Sequence, residues 1–317
     1  MPPRDRQPGN GILLQIGPAI GASVAVVIWA AWFPVTKIAV SSQLNEWQIC
    51  VIRFMVSGII SIPILSRLGF GTSSGFEGIR RGIALALFAG IGYVSIATCA
   101  LEFAPSTYGM VTPVSMATAG TVWVILSGRH RWNGAIVTSF CLFAFGILLL
   151  ASGGHKDDSN AFIGLFLFML AGLSFAFYNI AVAAWRLNPF HATALVAFYS
   201  LLFSLPIGFW QFHTMVSTVN ITDILIQGFY QGFLVSYAAL LFFTYAIKQL
   251  GVGKASYITL AVPATTAILS YLILGEHETV LTVAAICTLI GGMLFGVLGQ
   301  AQLRRLAPSP GGSDEFH

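Results

Sequence analysis

The sequence predicts an all-α integral membrane protein with ten transmembrane helices arranged as an inverted 5+5 repeat. Three observations carry that expectation. Only 8% of the 317 residues are charged and the mean hydropathy is +0.84, whereas a soluble domain carries about 25% charged residues. Apolar stretches of spanning length recur along the chain, separated by short polar breaks. The basic residues fall on alternate breaks, so they mark one side of a membrane.

Taken in order, the first ten residues, MPPRDRQPGN, are polar and read as a cytoplasmic tail, residues 1–10. The apolar run behind them continues at full spanning length without a persuasive cleavage site, so it reads as a helix and not as a signal peptide. Spans are expected near residues 18–40, 47–66, 82–101, 104–127, 134–152, 160–184, 190–211, 222–246, 254–274 and 277–299, with a second cytoplasmic tail at 301–317. Each offers close to the ~20 residues that cross ~30 Å of hydrocarbon at 1.5 Å per residue. The tightest break is Glu102-Phe103, with Pro105 just after it, and the length of apolar sequence around it requires two spans. Runs such as GIALALFAGIGYVSIATCAL do not alternate, so the spans are helices rather than barrel strands.

Taking the N-terminus as cytoplasmic, the inner segments hold Arg4, Arg6, Arg67, Arg80, Arg81, Arg129, Arg131, Arg186, Lys248, Lys254, Arg304 and Arg305. The outer loops hold only Lys156, while Lys37 and Arg53 fall within spans. This bias puts both termini in the cytoplasm and the chain in a cytoplasmic (inner) membrane. It also removes the nucleic-acid reading of the +4 net charge, because the bases sit in short loops and form no stripe. Cys50, Cys99, Cys141 and Cys287 lie inside apolar segments without a CxxC pair and read as small packing residues.

The halves repeat at an offset of 146 residues: Trp29 meets Phe175, Trp32 meets Tyr178, Ala100-Leu101 meets Ala246-Ile247, and Gly146 meets Gly292. Residues 11–152 and 159–300 therefore read as two five-span units, and an odd number of spans per unit turns the second upside down. The loops agree. GRHRW after the fourth span carries Arg129 and Arg131, whereas its counterpart GEHET after the ninth carries Glu276 and Glu278. Before the fourth span, EFAPSTYG holds Glu102 and no base; before the ninth, KQLGVGKAS holds Lys248 and Lys254.

Residues 246–276, AIKQLGVGKASYITLAVPATTAILSYLILGE, resemble the signature of EamA-type carriers of the drug/metabolite transporter superfamily. Pro263 and Leu274-Gly275-Glu276 match its mid-span proline and closing Leu-Gly-Glu; Arg53 and the pair Trp29 and Trp32 resemble features of its first two spans. The likeness extends over about residues 15–300. In the first half, Ala117 stands where the register places the proline, with Pro113 one turn earlier, and Ser127-Gly128-Arg129 replaces Leu-Gly-Glu. The resemblance implies a ten-helix carrier that exports metabolites or amino acids.

The candidate site is aromatic. Trp29, Trp32, Tyr93, Phe175, Tyr178, Asn179 and Tyr237 fall near mid-depth of spans one, three, six and eight. Polar-tipped rings there need either a hydrogen-bond partner or a wet cavity. A cavity lined by these spans is one reading; ordinary helix packing is the other. Thr112 lies beside Pro113, and Pro113 and Pro263 read as hinges or as structural kinks, each freeing a carbonyl one turn back. Lys37 is near enough to the outer end to snorkel. Arg53 is deeper, with Glu46 and Glu102 as candidate partners, and reads as an anchor or as a gating or carboxylate-binding residue.

No carboxylate sits at mid-membrane, which argues against a pump for organic cations. No HExxH, GxSxG, P-loop or GxGxxG site is present, so no enzyme, metal or cofactor is expected. The expected function is a secondary transporter exporting a small neutral, zwitterionic or amphipathic metabolite such as an amino acid. The alternatives are a drug-efflux carrier and, from another class, a membrane receptor or assembly scaffold. Expected partners are a small-molecule solute and the lipid bilayer, with no nucleic acid and with a homodimer allowed for.

Overall fold

The computed structural model describes residues 10–41, 44–73, 75–128, 132–153, 160–218, 220–250 and 258–306. They form α1 (Asn10–Ser41), α2 (Glu46–Leu68), α3 (Phe76–Ala89), α4 (Ile91–Phe103) and a 3₁₀ turn (Ser106–Met110) leading into α5 (Val111–Leu126). Then come α6 (Gly134–Gly153), α7 (Ala161–Ala184), α8 (Pro189–Thr218) and α9 (Ile221–Gln227), which continues through a π-helical stretch (Gly228–Ala238) into α10 (Ala239–Leu250). The chain ends in α11 (Val262–Leu274) and α12 (Val280–Leu306). Among the described residues there is no strand.

Nine helical stretches among the described residues are long and apolar enough to cross a membrane: Gly17–Ser41, Trp47–Leu68, Phe76–Phe103, Ser106–Leu126, Gly134–Ser152, Ala161–Ala184, Pro189–Trp210, Ile221–Leu250 and Val280–Gly299. They fall on nine of the ten expected spans. At the remaining one, near 254–274, α11 supplies a 13-residue apolar helix, about 20 Å long at 1.5 Å per residue. Residues 251–257, with Lys254, lie outside the described residues, as do Arg4, Asp5, Arg6, Arg129, Arg131, Lys156, Asp157, Asp158, Asp314 and Glu315.

Several spans are less regular than a continuous apolar run implies. The expected span 82–101 is divided at Gly90, where an added Cβ would lie 2.0 Å from Ser200 Oγ. The amide freed at Ile91 donates to that same hydroxyl at 3.1 Å, so the break is satisfied inside the protein, as a lipid environment requires. Pro113 and Pro263 do not kink helices at mid-course. Pro113 is the third residue of α5 and Pro263 the second of α11. Proline has no N–H and disfavours helix in the residue before it, so it sits without cost in a first turn and marks where a helix begins. Gly275 ends α11 with φ +69°, the left-handed conformation that favours glycine at a helix C-terminus.

The helices pair in a definite pattern. α1 packs on α10 and α11, and α7 packs on α4 and α5. α2 lies along α8 and touches the π-helical stretch; α3 also touches α8; α6 lies along α12. Lipid tails are as apolar as leucine, so such contacts depend on close van der Waals fit at small residues. Gly58 of α2 faces Leu201 of α8, with only 2.5 Å between an added Cβ and the leucine Cβ. Gly146 of α6 meets Leu289 of α12, and Gly292 of α12 meets Leu142 of α6. The outer faces carry large apolar side chains, such as Phe209, Trp210, Leu148 and Phe166, that solvent-facing helices would not expose.

Candidate functional site

A buried polar cluster lies between α1, α2 and the π-helical stretch. Gln231, at 0% exposure, is its centre. Its Oε1 accepts from Trp32 Nε1 at 2.6 Å and from Arg53 Nη1 at 3.1 Å. Its Nε2 donates to Thr36 Oγ1 at 2.9 Å and to Gln227 Oε1 at 3.2 Å. A carboxamide has two donors and two lone pairs, so Gln231 is saturated and its orientation is determined by the network. Trp32 is nine residues from Ser41, Gln231 ten from Ile221 and Tyr93 ten from Phe103, which at 1.5 Å per residue is about 15 Å, half the hydrocarbon thickness.

The rings build outward from this centre. Trp32, 3% exposed, stacks on Tyr93 of α4 at 6.3 Å. Tyr93 meets Phe175 of α7 edge-on at 5.1 Å, and Phe175 meets Tyr178 at 5.2 Å. Four sequence-predicted residues thus form one line of contacts across α1, α4 and α7. Tyr237 joins from the π-helical stretch, its hydroxyl donating to Ser57 O at 3.1 Å, one turn beyond Arg53. Trp29 packs edge-on against Phe243 of α10 at 5.1 Å, one turn from the line. Thr112 fastens α5 to α7 by donating to Phe168 O at 3.3 Å. Asn179 is exposed on α7. A 480 Å³ apolar cleft lies on the outer face of α1, between Ala19 and Ile28, away from the cluster.

The end of the bundle above the cluster is held by polar contacts. Lys37 Nζ donates to Leu101 O and to Ala104 O at the C-terminal end of α4, where a helix presents unpaired carbonyls and a partial negative charge. It therefore reaches across to a neighbouring helix end instead of snorkelling. Glu276, just past α11, accepts from Ser106 N at 3.1 Å and from Ser106 Oγ at 2.8 Å. Ser106 Oγ is also 2.7 Å from Ser270 Oγ. Thr107 donates to Glu276 at 3.4 Å and to Glu278. The Leu-Gly-Glu carboxylate thus caps the first turn of the fourth span and ties it to the end of α11.

The profile of the EamA-like transporter family matches residues 162–298. Residues 162–298 belong to the EamA-like transporter family. The match bears out the resemblance read from Pro263 and Leu274-Gly275-Glu276, and together with the nine apolar helices among the described residues it supports a multi-pass membrane protein of the transporter class. It stops short of the half in which Ala117 and Ser127-Gly128-Arg129 depart from the pattern. No curated protein matches the chain. A solved structure titled only as the crystal structure of a protein shares 17% identity, with a TM-score of 0.57, over 93% of this chain and 99% of that one. At that identity the likeness concerns the fold.

Within the EamA-like half, sequence reasoning missed the residue that organises the cluster. It singled out rings, prolines and charges in spans, but not Gln231, Gln227 or Thr36. The signal was present: two glutamines four residues apart in an apolar span share one helix face and must find partners there. Arg53 was paired in expectation with Glu46 or Glu102, and its bond goes to Gln231 instead.

Proposed function

We propose that this protein is a secondary transporter of ten transmembrane helices in an inverted 5+5 repeat, residues 11–152 and 159–300. It exports a small zwitterionic, amphipathic or neutral metabolite, such as an amino acid, from the cytoplasm by alternating access. The observation that carries the reading is the packing pattern. The first span rests on the eighth and ninth, and the sixth rests on the third and fourth; the second lies along the seventh, and the fifth along the tenth. Exchanging the two five-span units leaves that pattern unchanged, as a two-fold axis in the membrane plane would. The irregularities correspond as well. Gly90 and Ser236 of the π-helical stretch are 146 residues apart, and the α-helices of the fourth and ninth spans each carry a proline in the first turn. A site at mid-depth between two such units is where rocking of one against the other exposes a solute to each side in turn.

In this reading Trp32, Tyr93, Phe175, Tyr178 and Tyr237 contact the solute, Trp29, Thr112 and Asn179 border its path, and Arg53, Pro113 and Pro263 belong to the moving parts. The test is flux. Proteoliposomes loaded with labelled amino acids should release them saturably, and Trp32→Ala should lower the rate per folded molecule at least about tenfold, the loss expected from about 1.4 kcal/mol of lost binding. Release of organic dyes alone would favour the drug-efflux reading. Release of neither class above protein-free liposomes would leave a receptor or scaffold.

A further inference from the structure

We propose that Arg53 is an anion-binding residue, and that the solute carries a carboxylate which takes this guanidinium as its counter-ion. The proposal rests on the transport reading above and narrows it: solutes without an acid group drop out.

The first observation is an unfinished set of hydrogen bonds. Arg53 lies six residues into the span Trp47–Leu68. Its Nη1 donates to the neutral amide of Gln231, and its Nε is buried with no hydrogen-bond partner among the described residues. Gln231 has no lone pair left to offer, because Trp32 takes the other. A guanidinium keeps its charge and carries five donors in a planar fork suited to a carboxylate. The second observation is where the acids are. Among the described residues Glu77, Glu102, Asp223, Glu276 and Glu278 stand at helix ends or in connections, and the ion pairs there join Glu77 to Arg80 and Arg81, not an acid to Arg53. A charge inside a membrane protein needs an opposite charge or a set of carbonyls, and the solute can provide the former.

The surroundings define the rest of the solute. Trp32 and Tyr93 stack beside the shared Gln231 contact. The guanidinium also lies over the ring of Phe54, 5.8 Å from its centroid. Tyr230 spends its hydroxyl proton on Ile28 O at 2.7 Å. An apolar or aromatic body fits against these rings while a single head group meets Arg53. One guanidinium balances one negative charge, which fits a carboxylate better than a doubly charged phosphate.

The test compares acids with their amides, which match in shape and differ in charge. Hexanoate against hexanamide, and N-acetyl-leucine against N-acetyl-leucinamide, are titrated by thermal shift and by the ¹⁵Nε resonance of Arg53 in phosphatidylcholine nanodiscs. The acids should bind about 10- to 100-fold tighter, the range for a charge-assisted hydrogen bond. Arg53→Gln should erase the ratio in protein that still elutes as a folded species, and Arg53→Lys should keep part of it. A ratio near one in the wild type, or one that survives in Arg53→Gln, overturns the proposal. So does phosphatidylglycerol shifting the Arg53 resonance and blocking hexanoate, since the anion would then be a lipid phosphate. Flux of amino acids without an acid–amide preference removes the carboxylate and leaves transport standing. Absence of flux with a clear preference removes transport and leaves the binding site.

Discussion

Replacing Gln231 by leucine tests whether the mid-membrane cluster is the polar core of this fold. The substitution keeps the volume and removes both hydrogen-bonding ends. It leaves the Trp32 indole N–H and one Arg53 donor without the acceptor they share at 2.6 and 3.1 Å, and removes the partner of Thr36 and Gln227. A buried donor that loses its partner costs about 1–3 kcal/mol, and more when charged. Two orphaned donors therefore predict a loss of about 3–5 kcal/mol, after the gain from a more apolar side chain. Reversible unfolding in mixed detergent–SDS micelles, followed by far-UV circular dichroism, measures it. Trp32→Phe removes the donor itself and should cost less, about 1 kcal/mol. The two changes should couple by about 0.6 kcal/mol, the average for hydrogen bonds between membrane helices, and at most by about 1.7 kcal/mol. A Gln231→Leu protein within about 1 kcal/mol of the wild type, or a coupling indistinguishable from zero, would refute the argument, because the indole would not depend on this amide.

Three further outcomes follow from other parts of the structure. Gly58→Ala places a methyl 2.5 Å from Leu201 Cβ and should destabilise by about 1–3 kcal/mol, whereas Gly120→Ala meets nothing within 4 Å and should be neutral or stabilising in the same unfolding assay. Glu276→Ala should raise amide exchange over residues 104–110 and leave α6 and α12 protected; unchanged exchange there would mean that the Ser106 and Thr107 bonds do not hold that end. A reporter active only in the cytoplasm should work when fused after Arg305 and stay silent when inserted at Asp157, and the reverse result would overturn the orientation drawn from the loop charges.

The spans were legible because lipid imposes so simple a rule. Contiguous apolar residues must pair their backbone groups within one helix, and among the described residues nine such helices stand where the apolar runs are. The interruptions were not legible. Gly90 reads as one more small residue in GIALALFAGIGY, and its break depends on Ser200, 110 residues away. Pro113 and Pro263 were expected inside helices, yet a proline as readily begins a helix as bends one, and only the preceding residues decide which. The rings at mid-depth were recognisable because a polar-tipped aromatic far from the interface must find a partner, and Trp32, Tyr93, Phe175 and Tyr178 do meet. Gln231 escaped notice because an uncharged amide leaves no mark on a charge count, although its desolvation costs several hydrogen bonds' worth of free energy unless every valence is met.

The bonds of Glu276 to Ser106 and Thr107 differ in kind from the glycine-to-leucine contacts along the bundle. Glycine-to-leucine contacts such as Gly146 on Leu289 are dry, and parting them leaves atoms with nothing to touch. Carboxylate-to-hydroxyl bonds at the end of a bundle can be exchanged for bonds to water at little net cost. The contact between the 3₁₀ turn and the end of α11 is therefore a seam that solvent can dissolve, so an opening at this end should start there and leave the dry pairing of α6 with α12 intact as the pivot.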